Sequence, residues 1–513
     1  MWRKNLLGKG LVLIVVMLLI GTIGLPTGYR TDVAEVSADI NGLMVASDSY
    51  GDGDYVTVSA WNDAEITKLT CHINGFNMEP VWIDGEKYFR VTMGREPNIL
   101  HKGCPDVPVI CRSIVIPDDV KMETRITYID YQDYEDVMIA PSKGVVLRTV
   151  DPLDIPYEFG EIYQKNAWFP EKLVVLREPY ILRDLRGQVV EINPVQYNPV
   201  TKQLRVYTDI IVEVYPAAPG EINVYERTKP LTKIDRDFRS IYERHFLNFD
   251  SIHFNGLDRD PYNPVDEQGN MLVICYDDFY DAMQPLVTWK NMKGIPTEMV
   301  KISEVGSNSD DIYNYIVDYY NTKGLTFVLL VGDAAQIPPR YVGSVASDTS
   351  YSYVVGNDHY PDLFVGRFSA ENTAHVETQV ERTINYEKYP QAGADWYHKG
   401  VGIASSQGPG DDGEYDYQHV RNIRSDLFGY TYTYVDELYD GSQGGDDEPG
   451  NPTPSMVSDA LNNGRSIINY CGHGSTTSWG TSGFSNTDVN ALTNDNMLPF
   501  IFSVACLNGN FVS

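Results

Sequence analysis

Two apolar runs near the end of the chain decide its predicted fold: SIINYCGHGSTTSWG at 466–480 and LPFIFSVACLNGNF at 498–511. Short apolar runs of this kind are typical of strands that are buried on both faces of a parallel sheet. His473 follows the first run, and Cys506 ends the second run 33 residues later. That separation suits the crossover that joins parallel neighbours, so both side chains are expected at one edge of the sheet.

Upstream of this pair, from about residue 271, apolar strands alternate with helical patterns. The predicted strands include MLVICY at 271–276, TFVLLVGD at 326–333 and GVGIASS at 400–406. The predicted helices cover about 312–320, 375–389, 418–428 and 455–463. This alternation predicts an α/β domain with a largely parallel sheet covered by helices. In such sheets, sites form beyond the carboxyl ends of the strands.

The first half of the chain has a different pattern. From about residue 32 to 250, apolar and polar residues alternate in short runs such as YVTVSAW at 55–61, broken by Gly, Pro, Asn and Asp. A period of two predicts a β-rich domain. The charged, Pro-containing stretch at 256–264 predicts an exposed linker. The predicted division is therefore a leader at 1–28, a β-rich domain at 32–258 and an α/β domain at 262–513.

Charge and composition limit the partners and the compartment. The net charge of −31 argues against a nucleic-acid partner, which needs a basic surface. Arg3 and Lys4 precede an apolar run at 11–25, which predicts a secretory signal peptide, with an uncleaved membrane anchor as the alternative. The mature protein is therefore expected to be secreted or at the cell surface, without other membrane contact. Six cysteines are few for an exported chain, although Cys104 and Cys111 are close enough in sequence to form a disulfide.

A thiol beside an imidazole suggests nucleophilic chemistry at the sheet edge. Only a few per cent of a free thiol is ionised near neutral pH, so a cysteine nucleophile needs a base such as His473. Gly474 would leave its N–H uncovered, and together with the N–H of Cys506 this group would form an oxyanion hole. Taken alone, each residue is better explained structurally, Cys506 as a core thiol and His473 as a turn histidine; only their occurrence together makes the two explanations equal. The pattern by itself leaves both interpretations open.

Several stretches resemble the gingipain family of secreted cysteine peptidases, which has a caspase-like fold. GHGSTTSWG and LPFIFSVACLNGNF carry the resemblance, and NPVDEQGNMLVICYDDFYDAMQPLVTWKNMKGIPTEM, VLLVGDAAQIPP and GEYDYQHVRNI extend it upstream. In the β-rich half, NPVQYNPVTKQLRVYTDIIVEV is similar to the propeptide of that family. The resemblance implies a β-rich propeptide domain followed by an α/β caspase-like catalytic domain that stops short at its C-terminus.

Residue roles follow from the same resemblance. His473 matches the general base and Cys506 the nucleophile. Asp416, in the D-x-Q-H motif at 416–419, matches the carboxylate that recognises a basic P1 residue, since a guanidinium forms charge-assisted hydrogen bonds. Without the resemblance, Asp416 would be a helix N-terminal carboxylate. The third polar member falls on Gln407, which cannot stabilise an imidazolium by charge, so the pair is expected to act as a dyad or to recruit Glu414 or Asp411.

The implied protein is a latent precursor of a cysteine endopeptidase that cleaves protein or peptide substrates after Arg, or after Lys. Its own propeptide would inhibit it, with processing at Arg259 and with Lys165 as a candidate pseudo-substrate. No cofactor is required, and Asp411, Asp412, Glu414 and the acidic run 446–448 are candidate calcium ligands, although acids of solvated loops are the simpler explanation. Two alternatives stay open: a cell-surface transpeptidase of the same lineage and a non-catalytic binding protein. Because Ser513 lies seven residues past Cys506, weak or no activity is expected of 1–513.

Overall fold

A computed structural model describes residues 55–63, 65–146, 150, 152–227, 231, 233–251, 269–408 and 414–512. The predicted leader, the linker at 256–264 and Arg259 lie outside these ranges. Within them, none of the helices combines the length and the apolar composition needed to cross a bilayer.

The N-terminal part is built almost entirely of strands. In chain order they are β1 (Val56–Asp63), β2 (Ile66–Ile73), β3 (Asn77–Ile83), β4 (Glu86–Thr92), β5 (Ile110–Val115), β6 (Val120–Tyr134), β7 (Val174–Leu176), β8 (Tyr180–Leu182), β9 (Leu185–Ile192), β10 (Val195–Asn198) and β11 (Gln203–Pro219). One antiparallel sheet has five strands, in which β11 pairs with β2, β6 and β10. A second, four-stranded sheet is centred on β9. The predicted β-rich domain is thus confirmed.

Alternating side chains build the core of this part. Along β2, Leu69, Cys71 and Ile73 are buried while their neighbours are at least partly open to solvent. They pack in one cluster with inward-facing residues of β11, among them Ile210 and Val212. A strand with one solvated face gives this period of two, which is why the sequence pattern could be read correctly.

The predicted link between Cys104 and Cys111 is wrong. Both residues are free thiols in the structure. Cys111 lies in β5, where its Sγ accepts a hydrogen bond from Nη2 of Arg177 at 3.4 Å. Proximity in sequence does not make a disulfide, because the bond also requires both side chains to point at each other.

The second part alternates strands and helices. The helix α1 (Arg236–His245) belongs to the N-terminal part. The elements of the second part are β12 (Met271–Cys275), α2 (Tyr280–Met292), β13 (Thr297–Lys301), α3 (Ile302–Val305), α4 (Ser309–Lys323), β14 (Phe327–Val331), β15 (Tyr341–Val342), β16 (Val345–Ala346), β17 (Phe364–Phe368), α5 (Thr373–Lys388), β18 (Lys399–Ala404), α6 (Asp416–Tyr430), β19 (Tyr434–Tyr439), α7 (Pro454–Asn462), β20 (Ile467–Cys471), α8 (Asn486–Asn490) and β21 (Phe500–Val504). The parallel strands form two four-stranded sheets, in the orders β13-β12-β14-β17 and β19-β18-β20-β21.

Helices cover both faces of the first parallel sheet, as predicted. On β12, Leu272 and Ile274 pack on one side with residues of α4. Val273 and Cys275 pack on the other side with residues of α2, and the Cys275 thiol is fully buried. Successive residues of β12 therefore face helices on opposite sides of the sheet, which is why its sequence is a continuous apolar run.

The two parts of the chain meet at the hairpin between β8 and β9. Arg183, in the hairpin turn, has a left-handed backbone with φ of 50°. Its backbone N–H donates to Oδ1 of Asp362 at 2.7 Å, and its Nη1 donates to the carbonyl oxygens of Leu325 at 2.7 Å and Asp362 at 2.8 Å. Nearby, the ring of Tyr180 stacks on that of Tyr360 with 3.7 Å between centroids. The N-terminal part is thus fastened to the edge of the first parallel sheet.

Candidate active site

The strands that carry His473 and Cys506 are neighbours. In the second parallel sheet, Ala404 of β18 lies opposite Cys471 of β20, which lies opposite Val504 of β21. The pairing continues one step further, because the N–H of Gly472 donates to the carbonyl oxygen of Val504 at 3.1 Å. His473 and Cys506 each lie two residues beyond an aligned position. The structure therefore brings them to the same edge, as the sequence predicts.

The backbone of His473 is held in place by the stacked pair of Tyr470 and Trp479. Tyr470 is buried at the end of β20, and its hydroxyl donates to the carbonyl oxygen of His473. The same carbonyl accepts the N–H of Gly480 at 2.6 Å, and the Tyr470 hydroxyl accepts the N–H of Thr481 at 3.1 Å. The Tyr470 ring stacks on Trp479 with 4.6 Å between centroids. Residues 473–480 thus form a tight loop, which we call the His loop.

Cys506 begins a turn of residues 506–510, which we call the Cys turn. The thiol-bearing residue is exposed, and Leu507 after it has a left-handed φ of 64°. The turn closes when the N–H of Asn510 donates to the carbonyl oxygen of Leu507 at 3.1 Å. A non-glycine residue rarely adopts this conformation, so surrounding contacts must hold it in place.

Gly474 is where the His loop and the Cys turn meet. A Cβ added there would lie 2.5 Å from Oδ1 of Asn508 and 2.8 Å from the carbonyl oxygen of Cys506. Real Cβ atoms do not come this close to other atoms, so only glycine fits. The sequence suggested that glycine at 474 serves to leave its N–H uncovered. The structure gives a different reason, which is close packing against the Cys turn.

Two backbone donors at this junction point to no protein acceptor. The loop bonds on either side of Gly474 run from Gly480 N–H to the His473 carbonyl and from Ser475 N–H to the Ser478 carbonyl. Among the described residues, neither the N–H of Gly474 nor that of Cys506 donates to another group. Within the same ranges, no hydrogen bond joins the His473 ring to the Cys506 thiol. Catalytic hydrogen bonds commonly tighten only when substrate is bound.

Asp416 lies at the first position of α6, beside the strand ends. The hydroxyl of Ser405, the buried residue that follows β18, donates to Oδ2 of Asp416. Burial raises the pKa of the Tyr470 hydroxyl, and the negative charge of Asp416 adds a smaller contribution in the same direction. Sequence reasoning missed Ser405, although its position immediately after an apolar strand was a usable signal.

Two of the residues considered as a third member do not reach His473. Gln407 is exposed, and its backbone carbonyl accepts the N–H of Asp416 at 2.9 Å. Glu414 accepts hydrogen bonds from Nδ1 of His419 at 3.1 Å and from Nδ2 of Asn422 at 2.7 Å. In the described part of the chain, no side chain hydrogen-bonds the imidazole of His473. Asp411, the other candidate, lies outside the described ranges, so both the dyad and a triad stay predictions.

The acidic residues proposed as calcium ligands have other partners. Oδ1 and Oδ2 of Asp447 accept the N–H groups of Tyr439 at 2.9 Å and Gln443 at 2.8 Å. Asp446 receives Nη2 of Arg424 at 2.6 Å. No group of three or more candidate ligands occurs within the described ranges. Asp411 and Asp412 lie outside the described ranges, and calcium binding stays a prediction.

Fold and site together define a class of protein: a β-rich domain followed by an α/β domain that carries a cysteine and a histidine at the carboxyl edge of a parallel sheet. Comparison with known families makes the assignment specific. The model described as peptidase family C25 matches residues 265–513, and the model of the C25 propeptide matches residues 47–252. The chain belongs to peptidase family C25, which confirms the resemblance seen in the sequence.

Individual relatives come from Porphyromonas gingivalis. Gingipain R2 is 40% identical over 423 residues, which cover 81% of this chain and 55% of that protein. Lys-gingipain HG66 is 25% identical over 505 residues, covering 91% of this chain and 28% of that protein. A crystal structure of the Arg-specific cysteine proteinase gingipain R is 41% identical, with 49% of this chain and 58% of that chain covered and a TM-score of 0.45. The chain thus spans about half the length of Gingipain R2.

Proposed function

We propose that this protein is an exported cysteine endopeptidase that cleaves peptide bonds after basic residues. The observation that carries the proposal is the junction of the His loop with the Cys turn. It places a histidine, an exposed cysteine and two open backbone N–H groups beyond adjacent parallel strands. These are the groups that acyl transfer to a thiol requires. Membership of peptidase family C25 supports the same reaction.

The reaction has two halves. In the first, Sγ of Cys506 bonds to the substrate carbonyl carbon while its proton passes to the imidazole of His473. The N–H groups of Gly474 and Cys506 receive the developing oxyanion, and His473 then donates the proton to the departing amine. In the second half, water attacks the thioacyl carbon with His473 as base, and the thiol leaves. The products are a free carboxylate and the regenerated enzyme.

Asp416 is the residue proposed to select a basic P1 side chain. Its carboxylate already accepts a hydrogen bond from Ser405, which follows β18, the strand next to the one that leads to His473. A carboxylate at this position would bind a guanidinium or an ammonium by charge-assisted hydrogen bonds. One relative is described as Arg-specific and others are named Lys-gingipains, so both specificities occur in the family.

The N-terminal part is proposed to keep the enzyme latent. It matches the C25 propeptide model and is fastened to the α/β part through Arg183. Lys165, the candidate pseudo-substrate, lies 3.5 Å from Glu161 and is largely exposed.

A thiol-directed inhibitor tests the proposed reaction. We expect an acyloxymethyl ketone with Arg at P1 to label Cys506 once the N-terminal part has been released by proteolysis, and to label it slowly before. His473→Ala should abolish labelling, and Asp416→Asn should weaken it for the Arg probe but not for a matched probe with Leu at P1. Peptide mapping by mass spectrometry identifies the labelled residue. Equal labelling of wild type and His473→Ala, or no preference for the basic probe, would contradict the proposal.

A further inference from the structure

We propose that Asn508 is a positioning residue that holds the His loop against the Cys turn and thereby fixes His473 relative to Cys506. This inference rests on the proposed function, because it assigns a role within the same site. Asn508 lies two residues beyond Cys506 and is partly buried. Its side-chain amide is the point where the two segments are joined by side-chain hydrogen bonds.

Both ends of the amide are used. Nδ2 donates to the carbonyl oxygen of Ser475 at 2.7 Å and to that of Ser478 at 3.3 Å. Oδ1 accepts the hydroxyl of Ser503 at 3.2 Å. An amide nitrogen carries two hydrogens, so the two carbonyls in the His loop match its donor capacity. The opposite orientation of the amide would set its oxygen against two carbonyl oxygens, which fixes the assignment.

Further hydrogen bonds connect the Asn508 side chain to the sheet. The Ser503 hydroxyl, on β21, also accepts Nε1 of Trp479 at 3.0 Å. Trp479 is buried and stacks on Tyr470, whose hydroxyl holds the His473 carbonyl. The His loop is therefore held from two sides. Tyr470 holds it from within its own strand, and Asn508 holds it from the Cys turn.

Asn508 can act in this way only because of two unusual backbone features. The left-handed φ of 64° at Leu507 turns the chain back after Cys506, so that the next side chain faces the His loop. The missing side chain at Gly474 leaves room for the amide, since a Cβ there would lie 2.8 Å from Cγ of Asn508. A strained turn kept at a site where it aims a side chain indicates a positioning role.

No side chain in the described ranges hydrogen-bonds the His473 ring, so its placement depends on the backbone of the His loop. If Asn508 were lost, the carbonyls of Ser475 and Ser478 would turn to water and the loop would be free to move away from Cys506. The imidazole can take the proton of the thiol only while the two lie close together. Loss of Asn508 should therefore slow the reaction of Cys506 with an electrophile.

The test measures alkylation of Cys506 by iodoacetamide as a function of pH, in the full chain and with peptide mapping to separate the cysteines. We expect Asn508→Ala to slow alkylation at pH 6 by about tenfold, the effect of losing one well-formed hydrogen bond, and to shift the profile toward that of His473→Ala. Asn508→Asp, which keeps the shape but places an anion against the two carbonyls, should shift it as well. Asn510→Ala is the control, because Asn510 is exposed and its side chain accepts only the N–H of Val512.

The outcomes separate this inference from the proposed function. If His473→Ala shifts the profile while both Asn508 variants retain the wild-type profile, Asn508 has no positioning role and the dyad survives. If His473→Ala has no effect, the dyad and the role of Asn508 both fail. Should Asn508→Ala not fold, as judged by circular dichroism, Asn508→Asp and Ser503→Ala decide, the latter because it removes the hydroxyl on Oδ1 with little change in volume.

Discussion

Replacing Arg183 by alanine should loosen the N-terminal part from the first parallel sheet while leaving both parts folded. Arg183 is 9% exposed. Its guanidinium donates to two carbonyl oxygens of the α/β part, those of Leu325 and Asp362, and it lies over the rings of Phe238 at 4.6 Å and Tyr320 at 5.4 Å. One side chain thus satisfies acceptors that belong to the other part of the chain.

The size of the effect follows from these contacts. A hydrogen bond from a charged donor contributes about 1.5–3 kcal/mol, and a buried acceptor left without a donor costs about 1–3 kcal/mol. Two such bonds are lost, but water entering the gap recovers part of the cost, so we expect local opening to become easier by about 3 kcal/mol. That corresponds to a little more than a hundredfold in the opening equilibrium, at about 1.4 kcal/mol per factor of ten.

Amide hydrogen exchange measures this opening directly. The N–H groups of Val354 and Val355, which donate to Oδ2 of Asp362, and that of Ile181, which donates to Oδ2 of Asp358, report on the contact. We expect their protection in Arg183→Ala to fall about a hundredfold. Arg125→Ala, which removes an ion pair with Glu213 within the N-terminal part, should not change them. Unchanged protection in Arg183→Ala would refute this account of the contact.

Three further predictions follow from single contacts. Gly474→Ala should lower kcat about a hundredfold, because the added Cβ displaces Asn508 and the Cys506 carbonyl. Gly509→Ala is the control and should keep the wild-type kcat, because its Cβ meets nothing within 4 Å. Ser405→Ala should raise KM for substrates with Arg at P1 several-fold with little change in kcat, because only the orientation of Asp416 is lost. Burial lowers the pKa of His245 to about 4, below its unfolded value of about 6.5. The unfolded chain therefore binds a proton that the folded chain does not, and the free energy of unfolding decreases as the pH falls from about 6.5 to about 4. His245→Gln should therefore unfold at lower pH than wild type in an acid titration followed by circular dichroism.

The parallel strands and the position of the site could be predicted from the sequence. An apolar run such as that of β12 contacts helices on both faces, so hydrophobicity alone marks it as a buried strand. The carboxyl ends of β20 and β21 align because parallel neighbours linked by a crossover share one edge. His473 and Cys506 follow these ends directly, so a local reading of the sequence was sufficient to bring them together.

The division into two parallel sheets could not be predicted. Each of their strands has the same apolar pattern, and nothing in the pattern says which strand is its neighbour. Arg183 was also missed, because its role depends on carbonyl groups more than 140 residues away in the chain. A single charged residue in a polar turn gives no sign of such partners. Its left-handed backbone was equally hidden, since glycine or asparagine would ordinarily mark that position.

The site itself shows why the predictable and the unpredictable parts differ. Apolar burial forms the strands and fixes which edge carries the thiol and the imidazole. The placement of the His loop against the Cys turn depends on hydrogen bonds of Tyr470, Ser503 and Asn508 rather than on burial, and Cys506 is exposed. Hydrogen bonds at a solvated edge each contribute little, so the edge can loosen while the sheet stays intact. The position of Cys506 relative to His473 therefore depends on polar residues that cannot be told apart, in the sequence, from those of an ordinary turn.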